Sequence, residues 1–129
     1  MTAHGSATAL LWRLGAATTL LVSAFAMVGP VLAVLLQRSG HGMAFIGAFS
    51  MLPFLMVGLL VPVVPRLLAR WGTLRCSRGG AVLQLAGVLG YACADSSAVW
   101  ALSSVVAGTG AAVLWNTSEA LLAEEAPAH

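Results

Sequence analysis

"MAFIGAFSMLPFLMVGLLVPVV", residues 43–64, contains no charged side chain along its whole length. A helix that crosses the hydrocarbon core of a bilayer needs about 20 predominantly apolar residues. Within that core every backbone N–H and C=O must find its partner inside the segment, which favours a helix over irregular chain. The stretch therefore predicts a membrane-spanning helix.

Three further apolar runs flank this stretch. Residues 14–36 precede it, and residues 77–94 and 98–120 follow it. The chain is 60% hydrophobic and only 8% charged, whereas a soluble domain is about 25% charged. The mean hydropathy of +0.96 agrees with this composition. We therefore predict an all-α membrane protein, one domain over residues 1–129, whose four transmembrane helices form antiparallel hairpins.

Four of the six arginines lie at residues 66–78, in and just after the connection between the second and third runs. The chain has six basic residues, all arginines, and "PRLLARWGTLR" at residues 65–75 begins a loop predicted over residues 65–76. Arginines in short loops accumulate on the cytoplasmic side of a membrane. We predict that this loop and both termini are cytoplasmic, in a multi-pass protein of the cell (inner) membrane. Four residues form what we call the arginine cluster: Arg66, Arg70, Arg75 and Arg78.

This loop resembles the connection between the second and third helices of the major facilitator superfamily of transporters. The signature of that family is roughly G-x-L-a-D-R-x-G-R-[RK]. Arg70, Gly72 and Arg75 fall on or near its basic and glycine positions. Pro65 and Ala69 stand where the family has its first glycine and its acid.

The fourth run resembles the fourth helix of the same family, which carries an R-x-x-x-G-x-G pattern. Gly108 and Gly110 match the two glycines, and Ser104 occupies the arginine position. The resemblance covers nearly the whole chain. It implies the first four helices of a six-helix half of a secondary solute transporter. It further implies a fragment that is inactive alone and that has the remaining transporter helices as partners.

Helical periodicity gives a second view of the fourth run. At about 100° per residue, Ser104, Gly108, Trp115 and Glu119 share one face and Val113 lies opposite. Small residues on such a face let helices approach closely in lipid, while the bulky face meets acyl chains. The alternative is that part of the face lines a substrate cavity. The polar or aromatic candidates for a cavity lining are Gln84, Trp115 and Asn116.

Apart from Arg78 at the start of the third run, the apolar runs contain no charged residue before Glu119. An ionisable group inside a span usually marks an ion or proton pathway, so the sequence offers no support for proton coupling. We predict instead that Arg70 or Arg75 pairs with Glu119 or Glu124 at the cytoplasmic surface.

Several function classes find no support in the sequence. No nucleophile–base arrangement is visible, so we predict that the chain is not an enzyme and has no cofactor. The three histidines lack metal-ligand spacing, and a net charge of +2 does not indicate nucleic-acid binding.

Two functions stay open. The chain is either part of a transporter for an unknown small molecule, or a self-contained four-helix assembly or accessory protein that self-associates in the lipid bilayer. The sequence names neither a substrate nor a coupling ion.

Overall fold

The computed structural model describes residues 3–93 and 96–125. These residues contain no β-strand, so the prediction of an all-helical chain is confirmed. The described residues form five α-helices: α1 Ala3–Arg38, α2 Met43–Leu60, α3 Val64–Trp71, α4 Thr73–Cys93 and α5 Ser97–Glu125.

Two of these helices are long and apolar enough to cross a membrane, over Met43–Leu60 and Ser97–Ala123. A shorter apolar segment covers Val22–Arg38. The sequence predicted four spans, and this finding supports two of them, the second and the fourth. The apolar part of α4 is limited because Arg75 and Arg78 lie in its first two turns.

The predicted loop at residues 65–76 differs from the structure, which has a helix there. α3 is eight residues long, and α4 already begins at Thr73. Proline is accepted in the first turn of a helix because its missing N–H would have no partner there, and Pro65 takes that place. Gly72, with φ +81°, separates the two helices. A side chain at this φ would be strained, which explains the glycine.

α4 and α5 form a closely packed antiparallel pair. Gly87 lies against Ala107, and further along Gly110 lies against Gln84. The partner numbers fall on α4 as they rise on α5, so the two helices run in opposite directions. A Cβ atom on Gly87 would lie 2.7 Å from Ala107 Cα, which leaves no room for a side chain. These glycines allow the two backbones to approach, as small residues do in membrane bundles.

α5 is the central helix, because it contacts each of the other four. Its contact with α2 is made by Gly108, where a Cβ atom would lie 2.7 Å from Pro53 Cα. A proline cannot donate a backbone hydrogen bond within a helix, and the backbone of Pro53, inside α2, lies against a residue with no side chain.

Buried side chains form two clusters at opposite ends of the bundle. The first joins the α1–α2 turn to the start of α5, and consists of Leu32, Leu36, Ile46, Phe49 and Trp100. The second, formed by Val64, Cys76 and Val113, fixes α3 to α4 and α5. The prediction that Val113 faces lipid is wrong, because the residue is only 6% exposed. Its side chain is covered by α3, the helix that the sequence analysis read as a loop.

Candidate functional site

A cavity of about 290 Å³ lies between α1, α2, α4 and α5. Its walls are mainly apolar, from Val22 and Phe25 on α1, Phe54 and Val57 on α2, and Leu114 on α5. Ligand sites are typically concave and apolar with a few polar groups, from about 300 Å³ upwards. We call this space the Gln84 cavity, after the one residue that α4 contributes to its lining.

Gln84 is a buried polar residue in this apolar setting. Its side chain is 5% exposed, and its Oε1 atom is buried without a hydrogen-bond partner. The close approach of α4 to α5 at Gly110 places Gln84 in the interior of the bundle. An unsatisfied buried acceptor costs about 1–3 kcal/mol. A ligand that donated a hydrogen bond to this carboxamide would therefore recover free energy.

Trp115 lines the same cavity from α5. Its indole Nε1 donates a hydrogen bond of 2.6 Å to Glu119 Oε1, one turn further along the helix. The pair holds the indole ring in a fixed orientation beside the cavity. Gln84 and Trp115, both named from the sequence as cavity candidates, are thus brought together.

Asn116 is not among the residues that line the Gln84 cavity. Its Nδ2 donates to the backbone oxygen of Ala112 at 2.8 Å, so its amide is directed along its own helix. Ser118 does line the cavity, but its hydroxyl donates to the backbone oxygen of Leu114 at 2.8 Å. The side-chain donors of Asn116 and Ser118 are therefore already bonded to the backbone of α5, and a ligand would have to displace these hydrogen bonds.

A second, smaller cavity of about 110 Å³ lies on the other side of an aromatic pair. Phe25 and Phe54 contact edge to face with ring centroids 5.9 Å apart, and both line both cavities. The second cavity also contains Tyr91, whose Oη donates to Ser104 Oγ at 2.9 Å. Ser104 in turn donates to the backbone oxygen of Trp100 at 2.9 Å.

Three residues that line these cavities were not predicted from the sequence as site residues: Phe25, Phe54 and Tyr91. Tyr91 is the only tyrosine of the chain and lies within an apolar run, and this could have marked it as a candidate. The two phenylalanines offered no comparable signal, because phenylalanines in apolar runs usually face other helices or lipid.

The residues of the family-like loop motif lie together at the end of the bundle that contains α3. Arg66 and Arg70 are exposed on α3, Gly72 follows directly, and Arg75 is exposed on the first turn of α4. The fourth-helix residues are elsewhere: Gly108 lies in a close contact with α2, and Gly110 lies in a close contact with α4.

The ion pairs predicted between the loop and the end of α5 stay predictions. Glu119 has Trp115 as its hydrogen-bond partner, and Glu124 has a side chain outside the described part of the structure. An exposed pair of this kind would contribute only about 0–1 kcal/mol.

Over the described residues, no group of three or more His, Cys, Asp and Glu side chains could hold a metal ion. No protein-family model, no curated protein and no solved structure matches this chain. The functional assignment therefore depends on the cavity, on the helix contacts and on the loop and helix motifs.

Proposed function

We propose that this chain is a membrane-embedded part of a secondary solute transporter of the major facilitator type. The observation that carries the proposal is the Gln84 cavity, an apolar space between helices that is lined by one buried carboxamide whose Oε1 has no hydrogen-bond partner. Such a group binds a solute by hydrogen bonding where water is scarce. The order of the loop motif and the α5 glycines along the chain supports the family.

The proposal includes four spans, formed by α1, α2, α4 and α5. α4 has 21 residues, which at 1.5 Å each gives about 31 Å, the thickness of the hydrocarbon core. Arg75 and Arg78 lie at one end of it, where long cationic side chains extend to the lipid headgroups. In this arrangement both termini and the arginine cluster are cytoplasmic, in the cell (inner) membrane.

Transport would require further helices, from this polypeptide or from another. Alternating access depends on two bundles that move around a site near the middle of the bilayer. Four glycines on α1 and α2 support an incomplete bundle, because a Cβ atom on any of them would meet no other atom within 4 Å: Gly15, Gly29, Gly47 and Gly58. Small residues in such open positions are where membrane helices pack.

The alternative is a self-contained assembly or accessory protein that binds partners through the same open glycines. Those faces support either function. The buried Gln84 carboxamide favours the transporter, because an assembly protein gains nothing from an unsatisfied polar group inside its bundle.

Thiol accessibility tests the proposal. In a chain with Cys76→Ala and Cys93→Ser, we expect Gln84→Cys in membrane vesicles to react with the membrane-impermeant reagent methanethiosulfonate-ethyltrimethylammonium. The matched control is Leu85→Cys, one residue further on α4, which is 59% exposed on the outside of the bundle and should be shielded by lipid. If Gln84→Cys reacted no faster than Leu85→Cys, the cavity would not be a solute pathway.

A further inference from the structure

The short helix α3 is fixed to the bundle by one face and exposes two arginines on the other. Val64 is fully buried, and Leu67 and Leu68 pack against the cluster that it forms with Cys76 and Val113. Residues four apart lie on the same side of a helix, so Arg66 and Arg70 form an exposed pair. The pair cannot move independently of the bundle because the apolar face of α3 is packed.

The first turns of α4 add two more guanidinium groups at the same end. Gly72, with φ +81°, lies between α3 and α4, and the two helices contact each other. Arg75 and Arg78 are three residues apart and both exposed. Two adjoining helices thus carry four of the six arginines of the chain.

No carboxylate among the described side chains neutralises these arginines. Glu119, which is described, accepts its hydrogen bond from Trp115 on its own helix. Among the described side chains, these four guanidinium groups therefore have no carboxylate partner, and their planar donors have the chemistry that best matches phosphate oxygens.

Two exposed apolar side chains decide between a phosphate in solution and a phosphate in a bilayer. Trp71 is 54% exposed and ends α3, and Leu74 is 65% exposed at the start of α4. Both lie between the arginines along the chain. Indole rings are favoured at the level of the lipid headgroups, whereas a site for a soluble anion has no use for exposed apolar groups.

We propose that the arginine cluster, together with Trp71 and Leu74, binds the headgroups of anionic phospholipids. Clustered arginines next to a membrane-spanning helix attract anionic lipid over a short range. α3 would lie at the membrane surface, with its arginines on phosphates and Trp71 among the headgroups. The inference depends on the membrane insertion included in the proposed function, and not on transport.

The test uses the full chain in liposomes of phosphatidylcholine that contain a trace of pyrene-labelled phosphatidylglycerol or pyrene-labelled phosphatidylcholine. Flotation of the liposomes after an alkaline carbonate wash first establishes insertion, so a chain that failed to float would contradict the membrane part of the proposed function. Energy transfer from tryptophan to pyrene then reports which lipid is enriched around the protein. We expect stronger transfer to the labelled phosphatidylglycerol.

Arg70→Gln should lower the preference for phosphatidylglycerol about fivefold, as expected for one cation near an anionic surface. The matched control is Arg38→Gln, which removes an exposed arginine at the opposite end of the bundle and should leave the preference unchanged. Addition of inorganic phosphate should not displace the lipid. Equal transfer to both lipids, an equal effect of Arg38→Gln, or displacement by inorganic phosphate would each overturn the proposal. Gln84→Cys should keep the preference whether or not its thiol reacts, which separates this result from the cavity.

Discussion

Gln84 is a residue at which stability and function have opposite requirements. Its Oε1 is buried without a partner, and a methionine of similar length could fill the same space without a polar atom. Buried polar groups are normally paired, and an exception needs a reason such as a ligand. The stability of the empty protein is therefore a measure of whether the carboxamide is truly unsatisfied.

We expect Gln84→Met to raise the free energy of unfolding by about 1–3 kcal/mol, because the penalty of the unsatisfied acceptor disappears. Thermal unfolding in detergent, followed by circular dichroism, measures the change. Gln37→Met is the control, since Gln37 is exposed at the end of α1 and its replacement should have little effect. A destabilised Gln84→Met protein would mean that the carboxamide has a partner, such as a bound water.

The hydrogen bond between Tyr91 and Ser104 joins α4 to α5 at the second cavity. A double-mutant cycle of Tyr91→Phe and Ser104→Ala should give a coupling of about 0.6 kcal/mol, the average for such bonds between membrane helices. Tyr91→Phe combined with Thr109→Val should be additive, because Thr109 donates to Val105 of its own helix at 2.8 Å. Additivity in the first cycle would show that the bond contributes nothing.

At the scale of helices, the contact between α4 and α5 depends on glycines that no larger residue can replace without moving the helices apart. Gly87 on α4 and Gly110 on α5 each face backbone atoms of the other helix at a distance that excludes a Cβ atom. A Cβ atom on Gly79, by contrast, would meet nothing within 4 Å. Gly87 and Gly79 lie on the same helix and differ in what surrounds them. The same substitution at both positions therefore isolates the effect of packing.

We expect Gly87→Ala to destabilise the protein by about 1–3 kcal/mol through overpacking. Gly79→Ala should instead be neutral or stabilise by up to about 1 kcal/mol, since alanine is the better helix former. Unfolding in detergent again provides the measurement. If both changes had the same sign, the close approach of α4 and α5 would not be the source of the effect.

The apolar runs of the sequence located α2 and α5 well, since uncharged stretches of this length have few alternatives to a helix. α3 was missed although its signal was present: Val64, Leu67, Leu68 and Trp71 have helical spacing, and Pro65 and Gly72 mark its ends. Four arginines nearby suggested a loop more strongly. The exposure of Val113 could not be predicted, because it depends on α3 covering α5 from outside its own segment.

The sequence could predict which types of residue form the site, but not which of them line the cavity. Gln84 and Trp115 were identified because polar and aromatic side chains are rare in these runs, and both line the cavity. Asn116 had the same signal. Its hydrogen bond to Ala112 depends on a rotamer that a sequence does not specify.

At the scale of the whole molecule, the number of spans decides the topology. If only α2 and α5 crossed the membrane, the chain between them, including Gly72 and position 95, would lie on one side. If α4 also crosses, Gly72 and position 95 lie on opposite sides. Position 95 falls outside the described residues, but a fusion there still reports its compartment.

We expect alkaline phosphatase fused after position 95 to be active and the same fusion after Gly72 to be inactive. A green fluorescent protein fusion should give the reverse pattern, because it fluoresces only on the cytoplasmic side. The physical reason is the arginine cluster, which resists translocation. Equal activity of the two phosphatase fusions would show that α4 does not cross the membrane and would contradict the four-span proposal.

We also expect the chain on its own to transport nothing. Purified protein in liposomes with a pH or sodium gradient should take up labelled sugars, amino acids and drugs no faster than empty liposomes, because alternating access requires a second bundle. Uptake that depended on the gradient and was lost in Gly108→Leu, which would force Pro53 away from α5, would show that the chain forms a transporter by self-assembly.

The central position of α5 has a consequence for biosynthesis. α5 follows the other helices along the chain, yet it is the helix that all of them contact. A ribosome adds about 5–20 residues per second, so roughly 3–13 seconds separate the release of α2 from the completion of α5. During this interval α1 and α2 have no central helix to bind, and their glycines are open to lipid, to chaperones or to other nascent chains. The packing of these helices around α5 can therefore begin only when α5 has been synthesised, and a pause in translation before α5 would expose the early helices for longer.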